Sequence, residues 1–222
     1  SKTEDTYKEN NMLKDLQVVE FINEIDKKSA TPGGGSVSAL AASLGIALTK
    51  MVGHLTIGKK KFRALDEEVQ SEYTDILHTF GTYKEELITL IDKDTEAYNL
   101  VMAAFKLPKE TEEEKAARAV EIEKATLIAT EIPYRIAVLS LEALKELDTI
   151  LENCNKNALT DLAVGALLLY AGLEGSLLNV KINIPGLNDQ LKIEEYTKKV
   201  KAMLFDGSEL RNDILEKIHG VL

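Results

Sequence analysis

The sequence is expected to fold as an all-α protein, a single-domain antiparallel bundle of long helices, and three observations carry that expectation. Apolar residues recur every three or four positions along most of the 222 residues; runs alternating polar and apolar residues are scarce; there are only four prolines and no tryptophan. A hydrophobic content of 45% over this length is enough for one real core. Residues 1–11 read as a polar N-terminal extension and 12–222 as the helical domain.

Leu13, Leu16, Val19, Ile22 and Ile25 space a first amphipathic helix, ended by Ser29 to Gly35 with its Thr-Pro-Gly-Gly-Gly. A second helix starts near Ser36. Val37, Leu40, Leu44, Leu48, Met51 and Leu55 form a stripe of large residues along it, and Ser38, Ala42, Gly45, Thr49 and Gly53 form a stripe of small ones that another backbone can approach closely. After Gly58 and three lysines, apolar residues from Val69 to Phe105 space a long helix that Leu107-Pro108-Lys109 ends. Thr111 and Glu114 have the spacing of a capping box for the next helix, which reaches about Leu151. Pro133 inside it removes one helical hydrogen bond, so a kink or break is expected there. An Ala/Leu/Gly-rich helix from about Thr160 to Ile184 follows, then Pro185-Gly186, then polar amphipathic helices to the end.

Thirty-seven acidic against 27 basic residues give a net charge of −10, which disfavours nucleic acid as the main ligand. Cys154 is the sole cysteine, so neither an intrachain disulfide nor a cysteine metal cluster can form, in keeping with the cytoplasm. Ser36–Ile57 and Ala158–Leu178 are long and apolar enough to test as membrane spans, but Lys50 and His54 interrupt one and Asp161 and Glu174 the other; both read as buried helices, with no membrane partner. Three histidines without paired ligand motifs give no metal site.

Several polar residues fit poorly with simple packing. Asp94 falls in register with Leu87, Leu90, Ile91, Ala97, Tyr98 and Val101, on the apolar side of the long helix. A carboxylate taken out of water is costly and its pKa rises, toward values suited to proton transfer. A structural ion pair, or an apolar stripe that bends into solvent there, is the plainer explanation. Asp161, Gly165, Gly172, Ser176, Asn179 and Asn183 share one face of the Ala/Leu/Gly-rich helix, a polar and small stripe that meets either another backbone or a ligand with amide-like edges. Gly33, Gly34, Gly35 and Ser36 before a helix offer free N–H groups and a favourable dipole, or simply a turn with a cap. Lys59, Lys60 and Lys61 form the densest basic patch and could meet substrate carboxylates.

In order, Thr31-Pro-Gly-Gly-Gly-Ser36, Gly58-Lys-Lys-Lys61, Asp94 with Ala97-Tyr98, Leu107-Pro-Lys109, Ala129-Thr-Glu-Ile-Pro133, Asn155-x-Asn157 with Thr160-Asp161, and Asn179-Val-x-Ile-Asn183 resemble the cyclodeaminase family of folate one-carbon enzymes. That family includes the cyclodeaminase half of formiminotransferase-cyclodeaminase and stand-alone methenyltetrahydrofolate cyclohydrolases. The resemblance runs from about Leu16 to Met203; Cys154 stands where the family often has glycine, and Thr160 where it often has serine. It implies an all-helical homodimer acting on a tetrahydrofolate derivative, free or polyglutamylated, with no metal and no other cofactor. The implied activity is cyclodeamination of formiminotetrahydrofolate, with methenyl-bridge hydrolysis as the alternative and a non-catalytic helical dimer as a distant third. Asp94, Lys109 and Asp161 are the implied catalytic residues. Gly33, Gly34, Gly35, Ser36, Lys59, Glu131, Asn157, Asn179 and Asn183 are the implied substrate-binding ones. The formiminotransferase half is absent from these residues, so formimino transfer would fall to another protein.

Overall fold

Seven α-helices and no strand make up the fold in the computed structural model, which describes residues 12–222; the polar extension read over residues 1–11 lies outside the described residues. The helices are α1 (Val18–Ile25), α2 (Gly34–Thr56), the single turn α3 (Lys60–Arg63), α4 (Glu67–Phe105), α5 (Glu112–Asn153), α6 (Leu159–Asn183) and α7 (Gln190–His219). Short 3-10 turns at Leu13–Asp15, Lys156–Ala158 and Ile184–Gly186 link them. The expected first helix therefore splits: Leu13–Asp15 is a separate turn whose Leu13 and Lys14 N–H groups donate to the buried Asp92 carboxylate. The C-terminal segment is one helix, not several.

The small stripe of α2 packs on α6, and the two run antiparallel. Gly45 meets the Gly165 carbonyl and Leu169, Gly172 meets Ala42 and the Ser38 carbonyl, and Gly34 meets Asn179. A Cβ on Gly45 would lie 2.8 Å from the Gly165 carbonyl oxygen, so backbone contact at that point needs glycine. The consequence overturns one expectation. With their small sides facing each other, α2 and α6 turn large residues outward: Leu44 is 49% exposed and Leu178 57%, with Val37, Met51, Leu55, Val164, Leu167 and Ile182 exposed beside them. These two membrane-length helices, read from sequence as buried, are about half buried.

The core lies between the other faces. Phe80, Leu87, Ile136, Leu139, Leu144, Leu147, Leu162, Leu169 and Leu173 are fully enclosed there. The capping box at Thr111 and Glu114 forms as expected, worth ~1 kcal/mol at such a cap. At Pro133, α5 stays continuous instead of breaking. The carbonyl of Ala129, which loses its usual N–H donor to the proline, receives the Asn183 side-chain amide at 2.8 Å.

Candidate functional site

The N-terminus of α2 meets the middle of α4. Gly34, Gly35 and Ser36 carry main-chain N–H groups with no helical acceptor behind them, and this positive helix end faces Asp94. Gly35 makes the approach possible: a Cβ there would fall 2.1 Å from a carboxylate oxygen of Asp94. Ser36 is fully buried; its hydroxyl donates to the Ile91 carbonyl at 2.6 Å and lies 3.2 Å from the Thr95 hydroxyl, locking α2 to α4 one turn from the acid.

Burial pushes the Asp94 carboxyl above its ordinary pKa, and the Ser36 N–H and hydroxyl pull it partly back. The hydroxyl is already engaged with Ile91, which leaves the main-chain N–H as the steadier donor. Asp94 is thus displaced upward, the direction that suits a carboxyl for proton exchange.

Asp94 opens onto a cavity of about 310 Å³ lined by Ala30, Thr31, Gly33, Gly34, Tyr98, Val101, Ala129, Asn179, Ile182 and Asn183. The two asparagines reach it from the last turns of α6. Asn183 gives its amide N–H to Ala129, and Asn179 gives its own to the Gly175 carbonyl at 2.9 Å. Each commits its NH₂ group to protein, so each is left with an acceptor oxygen for a ligand. A carboxylate and two amide oxygens make a rim that favours N–H groups, within mostly apolar walls and a volume fit for a bicyclic ring.

Most of the residues singled out from sequence divide between two places. Asp94, Gly33, Gly34, Asn179 and Asn183 line the cavity, with Gly35 and Ser36 directly behind the acid. Lys59 and Asn157 line a second cavity, of about 540 Å³, with Thr56, Lys60, Lys61, Glu152, Cys154, Asn155 and Lys156. That cavity lies beyond the other end of α2, which at ~1.5 Å per residue is roughly 34 Å away. Asp161 belongs to that far end also: it is in the first turn of α6, whereas Asn183 is its last residue. One shared helical face therefore does not bring Asp161 and Asn183 to one cleft within a chain, because they sit at opposite ends of it. Lys109, on the connection after α4, and Glu131, near Tyr196 on the α7 side, are exposed and line neither cavity.

Thr31, Val101 and Ile182 were not anticipated as cavity residues. Ile182 could have been found from its place between two asparagines on a helix end, Val101 from its register with Asp94, and Thr31 from its place at the head of the glycine run.

Fold and cavity define a helical small-molecule-binding protein in which a partly desolvated carboxylate at a helix N-terminus faces two amide acceptors. Its lineage is specific: the chain belongs to the formiminotransferase-cyclodeaminase family, whose sequence model matches residues 17–202. It is 36% identical to a methenyltetrahydrofolate cyclohydrolase of Methylorubrum extorquens, over 89% of this chain and 93% of that protein. It is 35% identical to a formimidoyltransferase-cyclodeaminase of Gallus gallus over 89% of this chain, which spans only 36% of that longer protein. The solved structure of a formiminotetrahydrofolate cyclodeaminase from Thermotoga maritima superposes with a TM-score of 0.74 at 26% identity, covering 93% of this chain and 96% of the other.

Proposed function

We propose that this protein is a folate one-carbon enzyme, a formiminotetrahydrofolate cyclodeaminase that forms 5,10-methenyltetrahydrofolate and ammonia at the Asp94 cavity. One observation carries the reading: a carboxyl displaced upward by burial sits beside two amide oxygens, which suits the N–H edges of a reduced pterin. The relatives' names supply the substrate class.

In this reaction the side-arm nitrogen N10 attacks the formimino carbon on ring nitrogen N5. The tetrahedral intermediate then expels ammonia and leaves the N5–C–N10 bridge. The proton lost by N10 is the one the departing amine gains, so no net proton is consumed. Asp94 carries it, accepting from N10 and donating to the leaving nitrogen, and its carboxylate offsets the positive charge of the amidine. Asn179 and Asn183 hold the ring, and Gly33 and Gly34 let it approach the backbone. Asp161, Lys59 and Asn157 take part only if they reach the ligand from another direction, since their end of α2 is far from Asp94. Lys109 and Glu131 would need to turn inward when ligand binds.

Hydrolysis of the methenyl bridge to 10-formyltetrahydrofolate is the second reading, favoured by the Methylorubrum relative that this chain matches over nearly its whole length. There, water adds to the same carbon and gives one proton to Asp94; the N5–C bond then opens as the adduct's hydroxyl becomes the formyl carbonyl and its proton passes to N5, so that one proton is released overall. Assaying ammonia release from formiminotetrahydrofolate beside loss of methenyl absorbance, each against enzyme-free controls, separates the two. Failure to turn over either folate would overturn both.

A homodimer in the cytoplasm, needing no metal or other cofactor, is the working form. Residues 12–222 hold the helical unit, and a formiminotransferase, on this or another polypeptide, supplies the formimino substrate.

A further inference from the structure

The two asparagines of the Asp94 cavity are held with unequal firmness. Asn179 gives its amide to the Gly175 carbonyl at 2.9 Å, one turn back along its own helix. Within α6 that carbonyl already receives a main-chain N–H, that of Asn179 itself, so the side-chain amide can turn over and leave the carbonyl paired. Asn183 gives its amide to the Ala129 carbonyl at 2.8 Å, across to another helix. Pro133 has no N–H for this carbonyl, so the Asn183 amide stands in for the helical donor at a buried residue. Turning that amide over would set its oxygen against the Ala129 oxygen and leave the carbonyl bare, which is costly away from water. Asn183 therefore meets the cavity with a fixed acceptor, in company with the carboxylate of Asp94. The Thr31 and Tyr98 hydroxyls at the same cavity rotate, and serve as donor or acceptor alike.

Resting on the folate reading, we propose that Pro133, through the Ala129 carbonyl and Asn183, makes the cavity select the reduction state of the pterin ring at its nitrogen N8. In a dihydro- or tetrahydropterin, N8 carries a hydrogen and donates. In the fully oxidised ring the same nitrogen bears a lone pair and accepts. The pyrimidine edge, with its 2-amino group, N3–H and 4-carbonyl, offers the same pattern in both states and cannot tell them apart. N5 cannot serve either, because in the substrate it carries the one-carbon group. An acceptor locked in place bonds the N8–H of a reduced ring; against an oxidised ring it meets a second acceptor, and both are left unpaired. Asn183 is thus the specificity-determining residue, and Pro133, which does not line the cavity, is its positioning residue. The oxidised ring bears no one-carbon group to process, so its exclusion keeps the cavity for productive ligands.

Anaerobic equilibrium binding of tetrahydrofolate, 7,8-dihydrofolate and folic acid to the full chain tests the selection. Dihydrofolate has the N8–H of a reduced ring but keeps a C6=N5 double bond and a nearly flat shape, so it separates the hydrogen bond from ring pucker. Wild type should bind both N8–H ligands at least about tenfold more tightly than folic acid. Pro133→Ala returns an N–H to the Ala129 carbonyl and releases the Asn183 amide to turn, so folic acid should gain affinity. The preference should then fall to about threefold or less, with dihydrofolate affinity within about twofold of wild type. Adding Asn183→Leu to Pro133→Ala removes the acceptor without stranding the carbonyl, and there the preference should fall through loss of dihydrofolate affinity instead. A fold that is merely loosened weakens all three ligands alike and leaves their ratio in place. That outcome in Pro133→Ala, or a wild type that binds dihydrofolate no better than folic acid, overturns the proposal while the folate reading stands. Wild type that binds none of the three overturns the folate reading and the proposal with it.

Discussion

The Asn183 side-chain amide donates to the Ala129 carbonyl, the acceptor that Pro133 strips of its helical N–H. Two residues 50 positions apart in the chain thus answer each other. A buried helix carbonyl left without a partner costs about 1–3 kcal/mol, and the proline makes that loss certain unless something else donates. Asn183 supplies the donor and in doing so fixes its own amide, with the oxygen left for the cavity.

Asn183→Ala should therefore cost about 1–3 kcal/mol of stability. Pro133→Ala restores an N–H to the Ala129 carbonyl, so in that background the same Asn183 change should cost clearly less. Chemical denaturation of the four proteins in this cycle gives the coupling. Equal costs in both backgrounds would mean that the bond does not compensate for the proline.

Gly35→Ala should lower stability by about 1–3 kcal/mol and activity with it, because the new Cβ overlaps the Asp94 carboxylate and one of them must move. Shortening the acid in the double variant with Asp94→Ala should recover most of the stability and none of the activity. Thermal melts with parallel assays check both halves, and a Gly35→Ala protein of unchanged stability would show that α2 does not bear on Asp94 so closely.

Asp94 also gives stability a defined pH dependence. Its folded pKa lies above its unfolded one, so ionisation favours the unfolded chain. The contribution is fully present below the unfolded carboxylate pKa and is lost as pH rises through the folded value. Asp94→Asn does not titrate, so it should match wild type most nearly in acid and gain on it as pH rises through that window, to a constant margin beyond. Urea titrations across that range measure the difference; a margin that grows toward acid would reverse the sign and contradict burial as the dominant cause.

Much of this was legible in the sequence because helical period and punctuation are local. The capping box at Thr111, the end of α4 at Leu107-Pro108 and the small stripe of α2 follow from residues a few positions apart. The place of Asp94 on the apolar side of α4 was legible too, from its register with Leu87, Leu90 and Ile91, although an ion pair would have explained it equally. Length along a helix was the signal left unused. Asp161 and Asn183 share a face by angle, yet 22 residues of rise separate them, roughly 33 Å. The outward turn of Leu44 and Leu178 was hidden for another reason: large apolar residues ordinarily face the core, and it is the packing of the two small faces, Gly45 on Gly165 and Gly172 on Ala42, that turns them outward. At Pro133, the proline signals a lost bond, but its replacement comes from a helix 50 residues on.

The most direct test of the Asp94 site is turnover by Asp94→Asn with both folate substrates, measured beside the affinity of each protein for a folate analogue. Asparagine keeps the shape of the side chain and removes the exchangeable proton. The expected result is a kcat reduced by about 10²–10⁴-fold with analogue affinity within a few-fold of wild type. A variant that binds the analogue and turns over at the wild-type rate would remove Asp94 from the chemistry.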